Sequence, residues 1–386
     1  NKKVCVITGT RAEYGLLKHL MEEIKLSSHL SLQLVVTGSH LSHRHGYTIK
    51  EILNDGFVIN SSIDIELNED SNSAICSSIA KCVEQFSHTL KELKPDLIIV
   101  LGDRYELLAV VTAAMIHRVP IAHIHGGEVT EGAFDDGIRH CITKLSQLHF
   151  VAADEYKKRV IQMGENPKLV FNVGGLGVDA IKKIKLLTKK EIEESLNLKF
   201  RDRNLLITYH PLTIPLQEDS GYEIKQILDS LDNYNDALQI FTMPNADPGN
   251  KKIFTMIETY AKSRDNVYIF ESLGQLRYLS CLKQVDAVVG NSSSGLLEVP
   301  SFKKATINIG DRQKGRLFAK SVINCSNNSF DIQKSIRKIY TEKFKKDLKQ
   351  TLNPYGTGGA SKEIRLILES IKLGDLKRKP FFDLNF

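Results

Sequence analysis

The strongest constraint on the fold is the recurrence of short runs that are apolar at nearly every position, most of them followed by a stretch with helical periodicity. Such runs are typical of strands buried on both faces of a parallel sheet. The alternation predicts an α/β protein, and its presence in both halves of the chain predicts two sheets. The predicted strands are 4–8, 32–37, 97–101, 120–125, 148–152 and 170–173, and then 205–209, 238–243, 267–270, 287–289, 305–309 and 322–325.

The chain of 386 residues is long enough for two domains of ordinary size. We predict two Rossmann-like domains, 1–175 and 176–360, followed by a C-terminal helix and tail, 361–386. The first boundary falls in a glycine-rich stretch at 174–177, directly after a predicted strand. Ligands of open parallel sheets bind beyond the carboxyl ends of the strands, so we expect the site in a cleft between the two domains.

Composition excludes several classes of protein. Six scattered cysteines show neither a C-x-x-C pair nor zinc-ligand spacing, so we expect no disulfide framework and no metal site. No apolar run reaches the ~18 residues of a membrane span, and the first residues lead directly into a strand, so we expect no signal peptide and a cytoplasmic protein. The net charge of +6 suits a small anionic ligand. We interpret the lysine-rich runs 343–349 and 377–379 as solvated helix faces, not as a nucleic-acid patch.

Charged residues follow the first and third predicted strands. The segment 8–15 opens a helix, and its glycine and helix N-terminus favour a phosphate group, to which Arg11 adds a cation. The alternative is an ordinary turn with a surface arginine. Asp103, after the third strand, is either a carboxylate directed into the cleft or a helix N-cap.

Two further groups of candidates follow the fourth predicted strand. His123 and His125 occupy alternate positions, which places them on one face of a strand, and Glu128 comes after two glycines. These histidines are either residues of the functional site or structural groups. A metal site with Asp103 is a further alternative, although nothing fixes a ligand count. Asp135 and Asp136 either cap the next helix or divide acid and base roles between them.

The strongest single motif of the second half is 290–298, Gly-Asn-Ser-Ser-Ser-Gly-Leu-Leu-Glu, which joins a strand to a short helix. Its hydroxyls and backbone N–H groups suit a pyrophosphate, and its glutamate suits ribose hydroxyls. A flexible serine-rich loop is the alternative, and the motif is not a Walker A loop. The candidate ligands of this half are His210, Asn245, Asp247, Ser292, Ser293, Ser294, Glu298 and Arg312.

Taken in order, these motifs resemble a known family, the bacterial hydrolysing UDP-N-acetylglucosamine 2-epimerases of sialic acid synthesis. They also resemble sister enzymes that hydrolyse UDP-2,4-diacetamido-2,4,6-trideoxyglucose on the way to legionaminic acid, a surface-polysaccharide sugar. The resemblance covers nearly the whole chain. The matching segments are 8–15, 101–104, 125–128, 135–140, 210–211, 290–295 and 309–316.

The resemblance implies a GT-B-like fold whose C-terminal helix crosses back to the first domain. It implies that a base removes the C2 proton of a UDP-N-acetylhexosamine and that UDP leaves C1 by anti elimination. Water then adds to the glycal and gives the free C2 epimer, N-acetylmannosamine for the first family. The resemblance implies no cofactor and no metal. The expected partners are the UDP-sugar and a second copy of the chain, in a homodimer or higher homo-oligomer, with neither nucleic acid nor membrane.

Carried over position by position, the resemblance places Asp103 and Asp135 on the catalytic carboxylates, with Asp136 beside them. Arg11 falls on the diphosphate-facing arginine. The positions that correspond to UDP contacts are His210, Asn245, Ser292, Ser293, Glu298 and Arg312. One departure stands out, because several members have a catalytic glutamate where this chain has His125. Histidine also moves protons near neutral pH, and Glu128 is a possible substitute carboxylate, so the acid and base roles stay open.

Three other functions fit parts of this pattern. A retaining GT-B glycosyltransferase would use the same nucleotide loops with an acceptor pocket, and a non-hydrolysing epimerase would return the UDP-sugar. A nucleotide-sugar-binding protein would show affinity without turnover. Products formed from a UDP-sugar without an acceptor distinguish these functions.

Overall fold

The structure, a computed structural model, describes residues 1–43, 47–66, 71–129, 134–210, 220–243 and 251–384. It divides into two compact units. Unit 1 comprises residues 1–180 and 355–386, and unit 2 comprises residues 181–354. All twelve predicted strands are present, every strand pairing is parallel, and the predicted α/β class is confirmed.

Unit 1 is built on a seven-stranded sheet in the order β3-β2-β1-β4-β5-β6-β7. Its strands are β1 (Lys2–Thr8), β2 (Leu30–Thr37), β3 (Ser61–Ile63), β4 (Leu97–Leu101), β5 (Ile121–Ile124), β6 (Leu148–Val151) and β7 (Val170–Asn172). Its helices are α1 (Arg11–Leu26), α2 (Ile49–Asn54), α3 (Asn72–Leu93), α4 (Tyr105–Ile116), α5 (Phe134–Leu145), α6 (Asp154–Gln162), α7 (Leu176–Lys183), which runs past the unit's end, and the C-terminal α15 (Ala360–Ser370).

Unit 2 is built on a six-stranded sheet in the order β10-β9-β8-β11-β12-β13. Its strands are β8 (Asn204–Thr208), β9 (Leu238–Thr242), β10 (Val267–Phe270), β11 (Ala287–Gly290), β12 (Ala305–Ile309) and β13 (Val322–Cys325). Its helices are α8 (Lys189–Leu196), α9 (Ser220–Leu231), α10 (Lys251–Ala261), α11 (Gly274–Gln284), α12 (Ser294–Leu297), α13 (Ser329–Ile339) and α14 (Glu342–Lys349).

The central strands are apolar throughout because both of their faces are buried. In β1, Val4 and Val6 belong to one hydrophobic cluster, whereas Cys5 and Ile7 belong to the cluster on the opposite face. Side chains alternate between the faces of a strand, so a strand covered on both sides has no place for a regular polar position. The short β3 was not predicted, because its sequence Ser-Ser-Ile lacks an apolar run.

The C-terminal segment packs on the first strand and helix of unit 1. Lys2 Nζ donates to the carbonyl oxygens of Leu368, Glu369 and Ile371 at 2.6–3.0 Å, which stabilises the C-terminal end of α15. At the other end of α15, the buried Asp179 carboxylate accepts the N–H groups of residues 359–361.

The interpretation of the two lysine-rich runs is confirmed for one and wrong in part for the other. The lysines of 343–349 are exposed on α14. In the run 377–379, however, Lys379 is largely buried and donates to three backbone carbonyls. None of the described helices is both long enough and apolar enough to cross a bilayer.

The strand orders locate the binding edge of each unit. Unit 1 reverses its order of strands between β1 and β4, and unit 2 reverses it between β8 and β11. A crevice opens at such a switch point, beyond the carboxyl ends of the two strands. Ligand-binding residues are therefore expected in the loops that follow these four strands.

We predict that Gly290→Ala destabilises unit 2. Gly290 ends β11 with φ +145°, and a Cβ there would lie 1.9 Å from the carbonyl oxygen of Thr208 on the paired strand. Urea denaturation should show that the free energy of unfolding falls by more than about 3 kcal/mol. Gly15→Ala is the control, because a Cβ at this helical position meets nothing within 4 Å. The control should be neutral or stabilising by up to ~1 kcal/mol, and wild-type stability for Gly290→Ala would contradict the prediction.

Candidate active site

The loop after β1 is held by the first turn of α1. Thr10 caps the helix by accepting the Glu13 N–H, and the Glu13 carboxylate turns back to accept the Gly9 N–H at 2.7 Å. Arg11 lies on the surface with a side chain 70% exposed, and it forms a 3.0 Å ion pair with Glu51. The predicted diphosphate arginine is therefore already paired with a carboxylate.

Beneath this loop lies a pair of buried glutamates that the sequence reasoning missed. Glu106 is fully buried and accepts from Arg104 Nε at 2.6 Å. Burial, together with the charge of Glu106, raises the pKa of Glu13 to about 8. A Cβ on Gly9 would lie 2.7 Å from the Glu106 carboxylate, so a larger residue here would displace that buried side chain. For Glu13, the sequence contains one signal: a glutamate three residues after a threonine, the pattern of a helix N-cap.

Arg139 on α5 gathers the predicted carboxylates of unit 1. Its guanidinium is buried, forms an ion pair with Asp103 after β4, and donates to Asp136 Oδ1 at 3.2 Å. It also donates to the backbone carbonyl of Glu128, after β5, at 2.9 Å. A single side chain thus fixes the loops after two neighbouring strands against the start of a helix.

Asp135 lies in the first turn of the same helix. Burial and the charge of Asp103 raise the pKa of Asp135 above its ordinary value, although Arg104 and Arg139 oppose the shift. Asp136, in contrast, contacts both Arg139 and His140, the latter at 3.3 Å. Neighbouring carboxylates in different environments can divide acid and base roles.

The two predicted histidines have different roles in the structure. His123 is fully buried, with Nε2 2.8 Å from the Gly102 carbonyl and Nδ1 3.1 Å from Thr143 Oγ1. Burial lowers the pKa of His123 to about 3, so it is a neutral structural group that fixes the turn before Asp103. The prediction that both side chains share one face fails, because β5 ends at Ile124 and His125 has a left-handed φ of +63°.

His125 contacts two other parts of unit 1. Its Nε2 accepts the Leu176 N–H at 3.3 Å, and its Nδ1 lies 3.7 Å from Glu128 Oε1. A neutral His125 therefore carries its proton on Nδ1, towards Glu128. The structure thus places Glu128, the possible substitute carboxylate, beside His125.

Asn291 organises the switch point of unit 2. Its buried side chain accepts the His210 N–H at 2.8 Å and donates to the His210 carbonyl at 2.7 Å. The backbone carbonyl of Asn291 accepts from Arg312 Nη1 at 3.1 Å and from Gln313 Nε2 at 2.8 Å. The loops after β8, β11 and β12 therefore meet at Asn291, for which the sequence motif indicated no role beyond being part of the serine loop.

The three serines of this loop are not equivalent. Ser294 donates to Glu298 and accepts from Tyr278 Oη at 2.7 Å. Ser292 accepts the Ser294 N–H at 3.4 Å, and Ser293 makes no side-chain cap bond to α12. Ser292 and Ser293 are thus better placed to bind a ligand than Ser294. Burial raises the pKa of Glu298, so binding a polar ligand there would replace lost solvation.

Positive charge accumulates beside the serine loop. Burial and the charge of Arg316 lower the pKa of Arg312, and burial and Arg312 lower that of His210. Both shifts show that the surroundings of these two side chains disfavour positive charge, and an anion bound at this edge would relieve both. The predicted ligands Asn245 and Asp247 lie outside the described residues.

Comparison with known proteins adds three findings. The family model described as UDP-N-acetylglucosamine 2-epimerase matches residues 22–369. The GDP/UDP-N,N'-diacetylbacillosamine 2-epimerase (hydrolyzing) of Campylobacter jejuni is 42% identical over 99% of both chains. The polysialic acid biosynthesis protein P7 of Escherichia coli is 38% identical over 99% of this chain and 98% of that protein.

Among solved structures, the UDP-GlcNAc 2-epimerase from Neisseria meningitidis bound to UDP-GlcNAc aligns with a TM-score of 0.75. The alignment covers 95% of this chain and 99% of that chain at 20% identity. At this identity the likeness concerns the fold alone, and it confirms the predicted GT-B-like class.

We predict that Glu13 makes stability fall as pH rises. Its pKa is about 8 in the folded chain and ordinarily 4.5, so the folded state retains a proton that the unfolded state releases between these values. Unfolding free energies measured from pH 5 to 8.5 should therefore fall by a few kcal/mol more in the wild type than in Glu13→Gln, at roughly 1.4 kcal/mol per pKa unit. Glu92→Gln, on the exposed side of α3, controls for the loss of one carboxylate. Parallel pH dependences for wild type and Glu13→Gln would show that Glu13 is ionised in the fold.

Proposed function

Because the chain belongs to the UDP-N-acetylglucosamine 2-epimerase family, we propose that it is a hydrolysing 2-epimerase, which releases UDP and the C2-inverted free sugar from a UDP-2-acetamido sugar. The motif-based assignment to this family is confirmed. The observation that carries the proposal is the cluster of carboxylates that Arg139 holds together at the switch point of unit 1. It is matched by a cationic, hydroxyl-rich loop at the switch point of unit 2.

Unit 2 is proposed to hold the UDP. Ser292 and Ser293 offer hydroxyl and N–H donors to the diphosphate, and Arg312 offers a guanidinium whose position is fixed by the Asn291 carbonyl. Preorganised donors stabilise the charge that develops on UDP as its bond to C1 breaks. Glu298 is proposed to accept ribose hydroxyls, in addition to the Ser294 hydroxyl that it already accepts.

Unit 1 is proposed to carry out the proton transfers on the sugar. Asp135 is the proposed base for the C2 proton, because its raised pKa moves it towards the pH at which a carboxyl group exchanges protons efficiently. The electron pair of the C2–H bond forms the C1–C2 double bond, and UDP leaves with the electrons of the C1–O bond. Asp103 stays paired with Arg139 beside this reaction and keeps Asp135 basic.

Water addition to the glycal needs a second proton-transfer group. The neighbouring pair His125 and Glu128 is proposed for this step, in which hydroxide adds at C1 and a proton is delivered to C2 from the opposite face. His125 Nδ1 lies 3.7 Å from the Glu128 carboxylate, so a proton can pass between them after a small rearrangement. We propose that this pair takes the role of the catalytic glutamate that several members have where this chain has His125.

Two substrates are proposed. The motifs led first to UDP-N-acetylglucosamine, the sugar in the description of the family. A specific observation favours a second candidate, since the Campylobacter relative at 42% identity is named for diacetylbacillosamine, which is 2,4-diacetamido-2,4,6-trideoxyglucose. Both sugars present a 2-acetamido group and a C2 proton to the same carboxylates, and initial rates with the two UDP-sugars side by side decide between them.

We predict that incubation with the preferred UDP-sugar in deuterated water, without an acceptor, yields UDP and a free 2-epimer with deuterium at C2. The deuterium arises because the C2 proton is lost to the base and replaced from solvent. Mass spectrometry and NMR of the sugar measure it. UDP-linked epimer would indicate a non-hydrolysing epimerase, and protium at C2 of the free sugar would exclude the elimination route.

A pair of variants should separate chemistry from binding. Asp103→Asn should lower kcat at least ~100-fold, because it removes the charge that keeps Asp135 basic, while the Kd for UDP stays nearly unchanged. The double variant Ser292→Ala, Ser293→Ala should weaken UDP binding at least about tenfold, since hydrogen bonds to a charged group contribute about 1.5–3 kcal/mol each.

Calorimetric titration with UDP and steady-state rates measure the two effects. Ser263→Ala, at an exposed position of unit 2, is the matched control for serine removal. A large loss of UDP affinity in Asp103→Asn, or wild-type affinity in the double serine variant, would contradict the proposed division of roles.

A further inference from the structure

A single lysine of the C-terminal tail holds the end of the helix that carries the proposed catalytic acids. The Nζ of Lys379 donates to the backbone carbonyls of Thr143, Lys144 and Ser146, at and just after the end of α5. The same ammonium lies 2.8 Å from the carboxylate of Glu165. All of these groups belong to unit 1.

Glu165 anchors Lys379 by this ion pair. It is 2% exposed, and it also accepts from Lys144 Nζ at 2.7 Å and His149 Nε2 at 2.9 Å. Burial would raise the pKa of Glu165, but hydrogen bonds from His149 and the two lysines outweigh it and bring the pKa to about 2. The anchor is therefore a fixed negative charge, to which both the tail and α5 are attached.

The tail is held at two further points. The Phe382 N–H donates to the Gly164 carbonyl at 2.9 Å, and the Phe381 ring lies 4.8 Å from Lys144 Nζ. Gly164 has φ +88°, and a Cβ on it would lie 2.4 Å from the Phe381 ring, so this close approach requires a glycine. The position of Lys379 therefore does not depend on its own contacts alone.

The first turn of α5 bears Asp135 and Asp136, and Arg139 follows in the middle of the helix. Asp135 and Thr143 are eight positions apart, about 12 Å along the helix. The last carbonyls of a helix have no partner within it and carry its negative dipole end, so a partly buried cation there fixes the helix as well as stabilising it. A small rotation or translation at this end is transmitted along the helix to the carboxylates.

We propose that Lys379 is a positioning residue for the epimerase reaction: by capping the C-terminal end of α5, it sets the placement of Asp135 and Asp136 relative to the sugar. This inference rests on the proposed function. Lys379 touches no reacting group, so its loss should reduce kcat through misplaced acids and leave the UDP-binding residues of unit 2 unaffected.

The test compares Lys379→Met, Lys379→Gln and Lys379→Arg with Lys377→Met, an exposed lysine two residues earlier on the same tail. Lys379→Met keeps the apolar stem and removes every donor. It should lower kcat on the order of 10- to 100-fold, the effect expected of a small misplacement of reacting groups. KM and the Kd for UDP should change less than about twofold, which distinguishes positioning from general loss of structure. Lys379→Arg should restore most of the rate, Lys379→Gln should be intermediate, and Lys377→Met should match the wild type.

Amide hydrogen exchange of peptides from 134–145 gives a readout that does not depend on turnover. Exchange there should be faster in Lys379→Met than in Lys377→Met. If the wild type turns over neither UDP-sugar, the proposed function fails, while faster exchange in α5 still supports the capping role. An unchanged kcat in Lys379→Met, or equal losses in kcat and UDP affinity in every folded variant, would overturn the inference. If Lys379→Met does not fold, the comparison of Lys379→Gln with Lys379→Arg decides by the same criteria.

Discussion

The arrangement of unit 1 depends on the buried guanidinium of Arg139. Its partners are the Asp103 carboxylate after β4, the Glu128 carbonyl after β5, and Asp136 on its own helix. A guanidinium taken out of water must have such partners, and they in turn fix the positions of two loops and a helix start. The raised pKa of Asp135 follows, because burial and the nearby charge of Asp103 act on a carboxyl that this arrangement brings close. The chemistry proposed for the sugar thus depends on the partners that the buried Arg139 guanidinium binds.

In unit 2, Asn291 has the corresponding role of holding the strand-end loops together. Asn291 binds both backbone groups of His210 and receives Arg312 and Gln313 on its carbonyl, so that three strand-end loops share one neutral centre. The charge of Arg312 is left to attract an anion instead of being neutralised by the groups that hold it in place. A diphosphate bound at this edge gains from cations whose positions are already fixed, which is the condition for stabilising a departing UDP.

Much of this could be predicted from the sequence, and the failures have physical causes. The apolar runs predicted twelve strands because strands buried on both faces leave a continuous signal, whereas the polar β3 left none. The strand-end motifs predicted Asp103, Asp135 and the serine loop as candidate site residues, because parallel strands bring their carboxyl ends to one edge of a sheet. Contacts between distant residues were not predictable. Lys379 stands in a run of exposed-looking cations, and only the fold places it on the carbonyls of α5. The partnership of Glu13 with Glu106 likewise depends on the pairing of β1 with β4.

We propose that the acids of unit 1 act on a sugar whose UDP is bound by the serine loop of unit 2. A crystal structure of the Asp103→Asn variant with its UDP-sugar bound tests this most directly. We expect diphosphate oxygens within hydrogen-bond distance of Ser292, Ser293 or Arg312, and the sugar C2 within reach of the Asp135 carboxylate. A diphosphate bound away from these residues, or a C2 atom remote from Asp135, would contradict it.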